Sequence, residues 1–250
     1  MKLKTVLSTA MLAGVLLASN TASAVVFNDF TVDPDTNPGT LNSFVADKIT
    51  GNYTETITFT SPTTFNIALQ WDAGQFVAND GVNALPGALT GLGNTYGIYA
   101  DFTGSGTVST VAGITKFSLG SGGGLSVFLD ATPLTPHAGG VLMATGVAVS
   151  GLGTLDPSLS TCLNGGINCG SFGQTTTFAL NSVGSSFFVL PSPFYNLSFQ
   201  SGQLNNFPLT GTQTINGSMD AVFGTVPEPT SIALLGLSLL GLGFVQRRKS

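Results

Sequence analysis

The clearest order in this chain is an alternation of apolar and polar side chains. Phe65, Ile67, Leu69 and Trp71 interleave with Asn66, Ala68 and Gln70, the two-residue period of a strand with one buried face. Just upstream, Tyr53, Glu55, Ile57 and Phe59 share one face while Thr54, Thr56, Thr58 and Thr60 share the other. Glu55 is the anomaly of that strand, a carboxylate on the apolar side. Ser61-Pro62 turns the chain between the two runs. Further strands are predicted over 26–32, 44–49, 96–102, 141–149, 175–180, 187–190, 195–199 and 218–223. Turns are expected at 33–39 and at Asn79-Asp80-Gly81, with a longer loop over 85–94. Gly104 and Gly106 read as the close of one strand, and 116–119 and 125–130 as a hairpin around the glycine-rich tip 120–124. No part of this body has a sustained helical period. Many short strands punctuated by Gly and Pro predict an all-β fold, an antiparallel β-sandwich or jelly-roll-like body.

The two ends follow different patterns. Lys2 and Lys4 precede an apolar stretch over 6–18, and Ala22-Ser23-Ala24 supplies the small residues of a signal-peptidase site. Residues 1–24 are therefore expected to be a secretory signal peptide cut after Ala24. At the other end, Val226-Pro227-Glu228-Pro229-Thr230 precedes an uncharged apolar run over 232–245 and then Arg247-Arg248-Lys249. As a helix that run is roughly 21 Å long, short of the roughly 30 Å hydrocarbon core. It is a transmembrane helix fit for temporary residence in the inner membrane. The basic cluster would hold its end on the cytoplasmic side, leaving the body outside. Pro227 and Pro229 keep the residues before it extended and open to a processing enzyme.

A proline-bearing motif, a short apolar helix and a basic terminus in this order resemble the PEP-CTERM sorting signal. That resemblance implies recognition by an exosortase-type membrane enzyme in a Gram-negative bacterium that makes exopolysaccharide. The body is also similar, over 26–32, 44–55 and 70–77, to the flocculation-associated PEP-CTERM proteins. This similarity implies a matrix protein at the cell surface that promotes cell aggregation, in flocs or biofilm, together with exopolysaccharide. The same tail type also ends some ice-binding proteins, so a carbohydrate- or ice-binding recognition module is the alternative. The expected organisation is a signal peptide (1–24), a secreted β domain (25–226) and a sorting signal (227–250).

Charge narrows the partners. Between residues 25 and 226 two lysines face eleven carboxylates, a formal charge of −9, which argues against nucleic acid. Cys162 and Cys169 are separated by Leu-Asn-Gly-Gly-Ile-Asn. Outside the cell a local disulfide is expected, because a metal pair would need His or acidic partners nearby. Asp33, Asp35 and Asn37 alternate as calcium ligands do, but Pro38 and Phe44 stand where a calcium loop has its glycine and its bidentate glutamate. A turn is preferred, with calcium as a weak candidate and no other cofactor expected. His137, the one histidine, reads as a surface loop residue. The carboxylates look scattered, so no enzyme is expected. Trp71, Tyr96, Tyr99 and Tyr195 could stack on sugars if exposed, although the alternation places Trp71 in the core.

Overall fold

The computed structural model describes residues 27–34, 41–131, 133, 137, 139–163, 166 and 168–224. The expected signal peptide, sorting motif and tail helix lie outside them. Among the described residues no helix is long and apolar enough to cross a membrane. The strands are β1 (Phe30–Val32), β2 (Phe44–Ala46), β3 (Lys48–Ser61), β4 (Thr64–Ala78), β5 (Asn83–Ala84), β6 (Gly97–Val111), β7 (Ile114–Leu119), β8 (Gly124–Asp130), β9 (Val141–Leu155), β10 (Gly170–Thr176), β11 (Ala179–Leu180), β12 (Phe188–Leu190), β13 (Asn196–Leu204) and β14 (Thr212–Gly224). Three short helices intervene: α1 (Gly87–Thr90), α2 (Ser160–Leu163) and α3 (Ser182–Phe187).

The large sheet closes on itself. Following the hydrogen-bonded pairs, β3 meets β4, β4 meets β6, and β6 meets β7 and β8. These two both meet β9, after which β10, β13 and β14 follow in turn. β14 then returns to β3, from Thr212↔Thr58 to Val222↔Lys48. Every contact is antiparallel, so the body is an up-and-down barrel whose staves follow chain order. The all-β antiparallel expectation stands, but the sandwich or jelly roll does not, because a jelly roll needs Greek-key crossings. Closure leaves no free edge along the ring for another chain to extend.

The hairpin expected around the glycine run is corrected in the same way. β7 pairs with the far half of β6 (106–111) and β8 with its near half (97–103). They are two segments of one stave, broken at 120–123. Gly123 has φ of 90°, and a Cβ there would lie 2.2 Å from the Thr103 carbonyl oxygen. Those glycines let the chain step past β6 instead of reversing. Gly104 and Gly106 likewise lie inside β6. The actual reversal between β6 and β7 is Ala112-Gly113, both at positive φ, as a two-residue turn between right-twisted strands demands.

Inward positions alternate as the sequence predicts. Tyr53, Ile57, Phe65, Ile67, Leu69, Trp71, Phe102, Phe117, Phe199, Ile215 and Met219 fill the barrel. One end is sealed by the small sheet β12-β1-β2 and an aromatic cluster. Phe30 meets Phe76, Phe188, Phe194 and Phe223 at centroid distances of 4.8–6.4 Å, largely in the edge-to-face geometry aromatic rings prefer. At the opposite end lies the disulfide loop.

Candidate functional site

The last described strand is the base from which the C-terminal segment departs. β14 runs toward the aromatic cap and ends at Gly224, held between β3 and β13. Its final turns are fixed from three sides. The Trp71 indole donates from Nε1 to the Met219 carbonyl at 3.1 Å, and the Asn28 amide donates to the Phe223 carbonyl at 3.1 Å. Lys48 Nζ lies 3.1 Å from Asp220 and 5.5 Å from the Phe27 ring centroid. A partly exposed ion pair of this kind contributes on the order of 1 kcal/mol. The backbone ladder and the buried indole therefore carry the anchoring.

Immediately beyond this strand, residues 225–249 match the family model for the PEP-CTERM protein-sorting motif. The chain carries a PEP-CTERM sorting motif. No curated protein and no solved structure matches it. Such a motif implies export and processing at the cell surface by an exosortase-type enzyme. Only Thr225 and Val226 separate the end of β14 from Pro227 of the motif. The barrel is thus presented right against the motif.

Cys162 and Cys169 form the expected disulfide, with Cα atoms 4.5 Å apart. Both are buried. The Cys169 N–H donates to the Leu204 carbonyl and its own carbonyl accepts from Asp156 N–H, which ties the loop to β13 and to the end of β9. Closing so short a loop stabilises by roughly 2–3 kcal/mol on the chain-entropy model. Beside it, two hydrogen bonds from Ser158 hold the Asp156 carboxyl below its ordinary range.

Asp33 follows β1, its N–H donating to the Phe187 carbonyl. Asp35 and Asn37, its expected companions for calcium, lie outside the described residues. Among the described residues no group of three His, Cys, Asp or Glu side chains could hold a metal.

His137 is not the free surface residue the sequence suggests. Its side chain is 18 % exposed, with Nε2 3.0 Å from Asp72 and Nδ1 3.3 Å from Asp101, and its ring sits 4.3 Å from that of Tyr99. These are ion-pair distances without hydrogen-bond alignment, for Asp72 Oδ1 and His137 Nδ1 lack an aligned partner. Asp72, Tyr99 and Asp130 also line a cavity of about 250 Å³ on the outer wall. The carboxylates that look scattered in sequence are therefore partly gathered by β4, β6 and β8. Tyr99 stacks on Phe128 at 4.8 Å and accepts from Gly140 N–H at its hydroxyl. This arrangement holds His137 and Gly140 against the barrel wall.

Trp71, Tyr96 and Tyr99 are buried, and Tyr195 is half-buried against Phe194. The first three are withdrawn from any sugar-stacking role. Glu55 points inward as the alternation requires, only 4 % exposed. It borders a cavity of about 20 Å³ walled by Ile57, Phe65, Phe117, Leu119 and Phe172, room for a single water. Burial pushes its carboxyl up to about 8, which keeps it protonated at neutral pH. Neighbouring Tyr53 donates its hydroxyl to the Gln203 carbonyl, and burial raises its ionisation well above the usual range.

Proposed function

We propose that this PEP-CTERM protein is a non-enzymatic matrix component at the cell surface, promoting aggregation of cells with exopolysaccharide in flocs or biofilm. The observation that carries the reading is the sorting motif joined directly to a closed, acidic barrel. The resemblance of 26–32, 44–55 and 70–77 to flocculation-associated proteins supports the aggregation role. The inner membrane is a transient partner, occupied until an exosortase-type enzyme removes the tail, and neither nucleic acid nor a catalytic cofactor enters the scheme. A recognition module built on aromatic stacking is disfavoured, since the chain's tryptophan and three of its four tyrosines are buried.

Replacing Pro227, Glu228 and Pro229 together by alanine in the producing cell tests the proposal. Export across the inner membrane should persist, the tail should stay attached, and settling of the culture should fall to that of the deletion strain. Aggregation equal to wild type in the alanine strain contradicts the role.

A further inference from the structure

Closure of the barrel brings one uncharged hydroxyl-bearing face together from four strands. The register places Thr212, Thr58, Asn66 and Ser105 in one row across β14, β3, β4 and β6, and Thr214, Thr56, Ala68 and Thr103 in the next. All eight side chains are exposed or half-buried. Five are threonines and none is charged. Neighbours stand about 4.8 Å apart across the strands and about 6.8 Å apart along them. The hydroxyls of Thr58 and Thr212 lie 3.2 Å from each other. On the outer face the nearest carboxylate of these strands is Asp101, one row beyond Thr103 toward the capped end, with Asp72 and Asp220 farther along, while Glu55 points inward.

We propose that this two-row face is where the protein holds its polymer, and that the polymer is an uncharged polysaccharide. The inference rests on the matrix role argued above and adds the surface and the charge class. Three observations select that occupant. A body of charge −9 between residues 25 and 226 repels a polyanion, and these uncharged rows offer it no compensating attraction. The tail leaves from Gly224 while the rows begin at Thr212 and Thr214, so about 34 Å of strand separates the grid from the point of tethering. The face therefore stands away from the membrane while the tail is in place. Barrel walls are twisted, so a flat ice surface or the matching wall of a second copy touches only part of the grid. A flexible sugar chain can follow it. Hydroxyl and amide groups pair with sugar hydroxyls, threonine methyls cover the apolar edges of the rings, and many weak contacts along one polymer accumulate into retention.

The test uses the mature protein as recovered from the cell surface, run in native gels containing dextran as the neutral probe or polygalacturonate as the anionic one. Dextran should retard the protein and polygalacturonate should not. The triple variant Thr56→Val, Thr103→Val, Thr214→Val keeps strand-favouring shapes but loses three hydroxyls. It should need at least about fivefold more dextran for the same retardation, whereas Thr154→Val on β9 should behave as wild type. Should the triple variant lose its thermal unfolding transition, the exposed single change Thr103→Lys carries the same expectation. Unchanged dextran retardation in these variants overturns the proposal, as do no retardation of the unsubstituted protein, equal retardation by polygalacturonate, a dimer that blocks retardation, or ice affinity lost with the same threonines. Those outcomes leave the aggregation role standing, because that role fails only in the alanine strain.

Discussion

Glu55→Gln is expected to stabilise the protein at alkaline pH and to flatten its stability profile. In the unfolded chain this carboxyl ionises near 4.5, while in the barrel it keeps its proton to about 8. Between those values the folded state binds the extra proton, so folding stability declines as pH rises, by at most about 1.4 kcal/mol per pH unit, and levels off above 8. The total is on the order of a few kcal/mol. Below 4.5 the two proteins should be nearly equal, since both states of wild type are then protonated. Denaturant titrations at pH 4, 6, 7.5 and 9, followed by fluorescence of the single tryptophan, read the difference directly. Tyr53, whose ionisation burial and then Glu55 raise, stays protonated in the fold across this range, so the remaining groups cancel between the two proteins. Parallel profiles for wild type and variant would show that Glu55 reaches solvent or a cation.

Gly51→Val should prevent stable folding. Gly51 sits on β3 opposite Ala73, beneath the indole of Trp71. A Cβ there would lie 2.3 Å from the Asp72 carbonyl oxygen and 2.5 Å from the indole ring. The carbonyl cannot yield without breaking the β3–β4 ladder. The indole cannot yield without losing its hydrogen bond to Met219 on β14, which would leave a buried acceptor unpaired. Overpacking of this kind costs about 1–3 kcal/mol in a core that can adjust, and more is expected here because both neighbours are fixed. Wild-type expression with the same denaturation midpoint would contradict this account of the seam.

Much of the fold was legible in the alternation along β3 and β4, because a two-residue period depends only on which face is buried. Trp71 in the core and Glu55 as an inward carboxylate both followed from it. Closure was not legible: the Thr212↔Thr58 pairing joins residues more than 150 positions apart, and each strand reads the same in a sandwich or a barrel. The glycine run at 120–124 misled because a flexible tip and a step within a stave need the same residue. The His137 setting was hidden for a related reason. Its partners Asp72, Asp101 and Tyr99 come from two strands, and nothing in Pro136-His137-Ala138 announces them. The polar face shows the same limit, since the threonines of β3 were visible while the rows that β14, β4 and β6 complete were not.

The central claim is that a folded barrel is delivered outside the cell by ends that do not remain with it. Intact mass measurement of the protein shed or stripped from the cell surface tests this most directly. The account predicts an N-terminus at Val25 and a C-terminus near Pro227 to Thr230, with the apolar run and the Arg247-Arg248-Lys249 cluster gone. A surface protein that still carries residues 232–249, or a full-length chain found only in the cytosol, would contradict it.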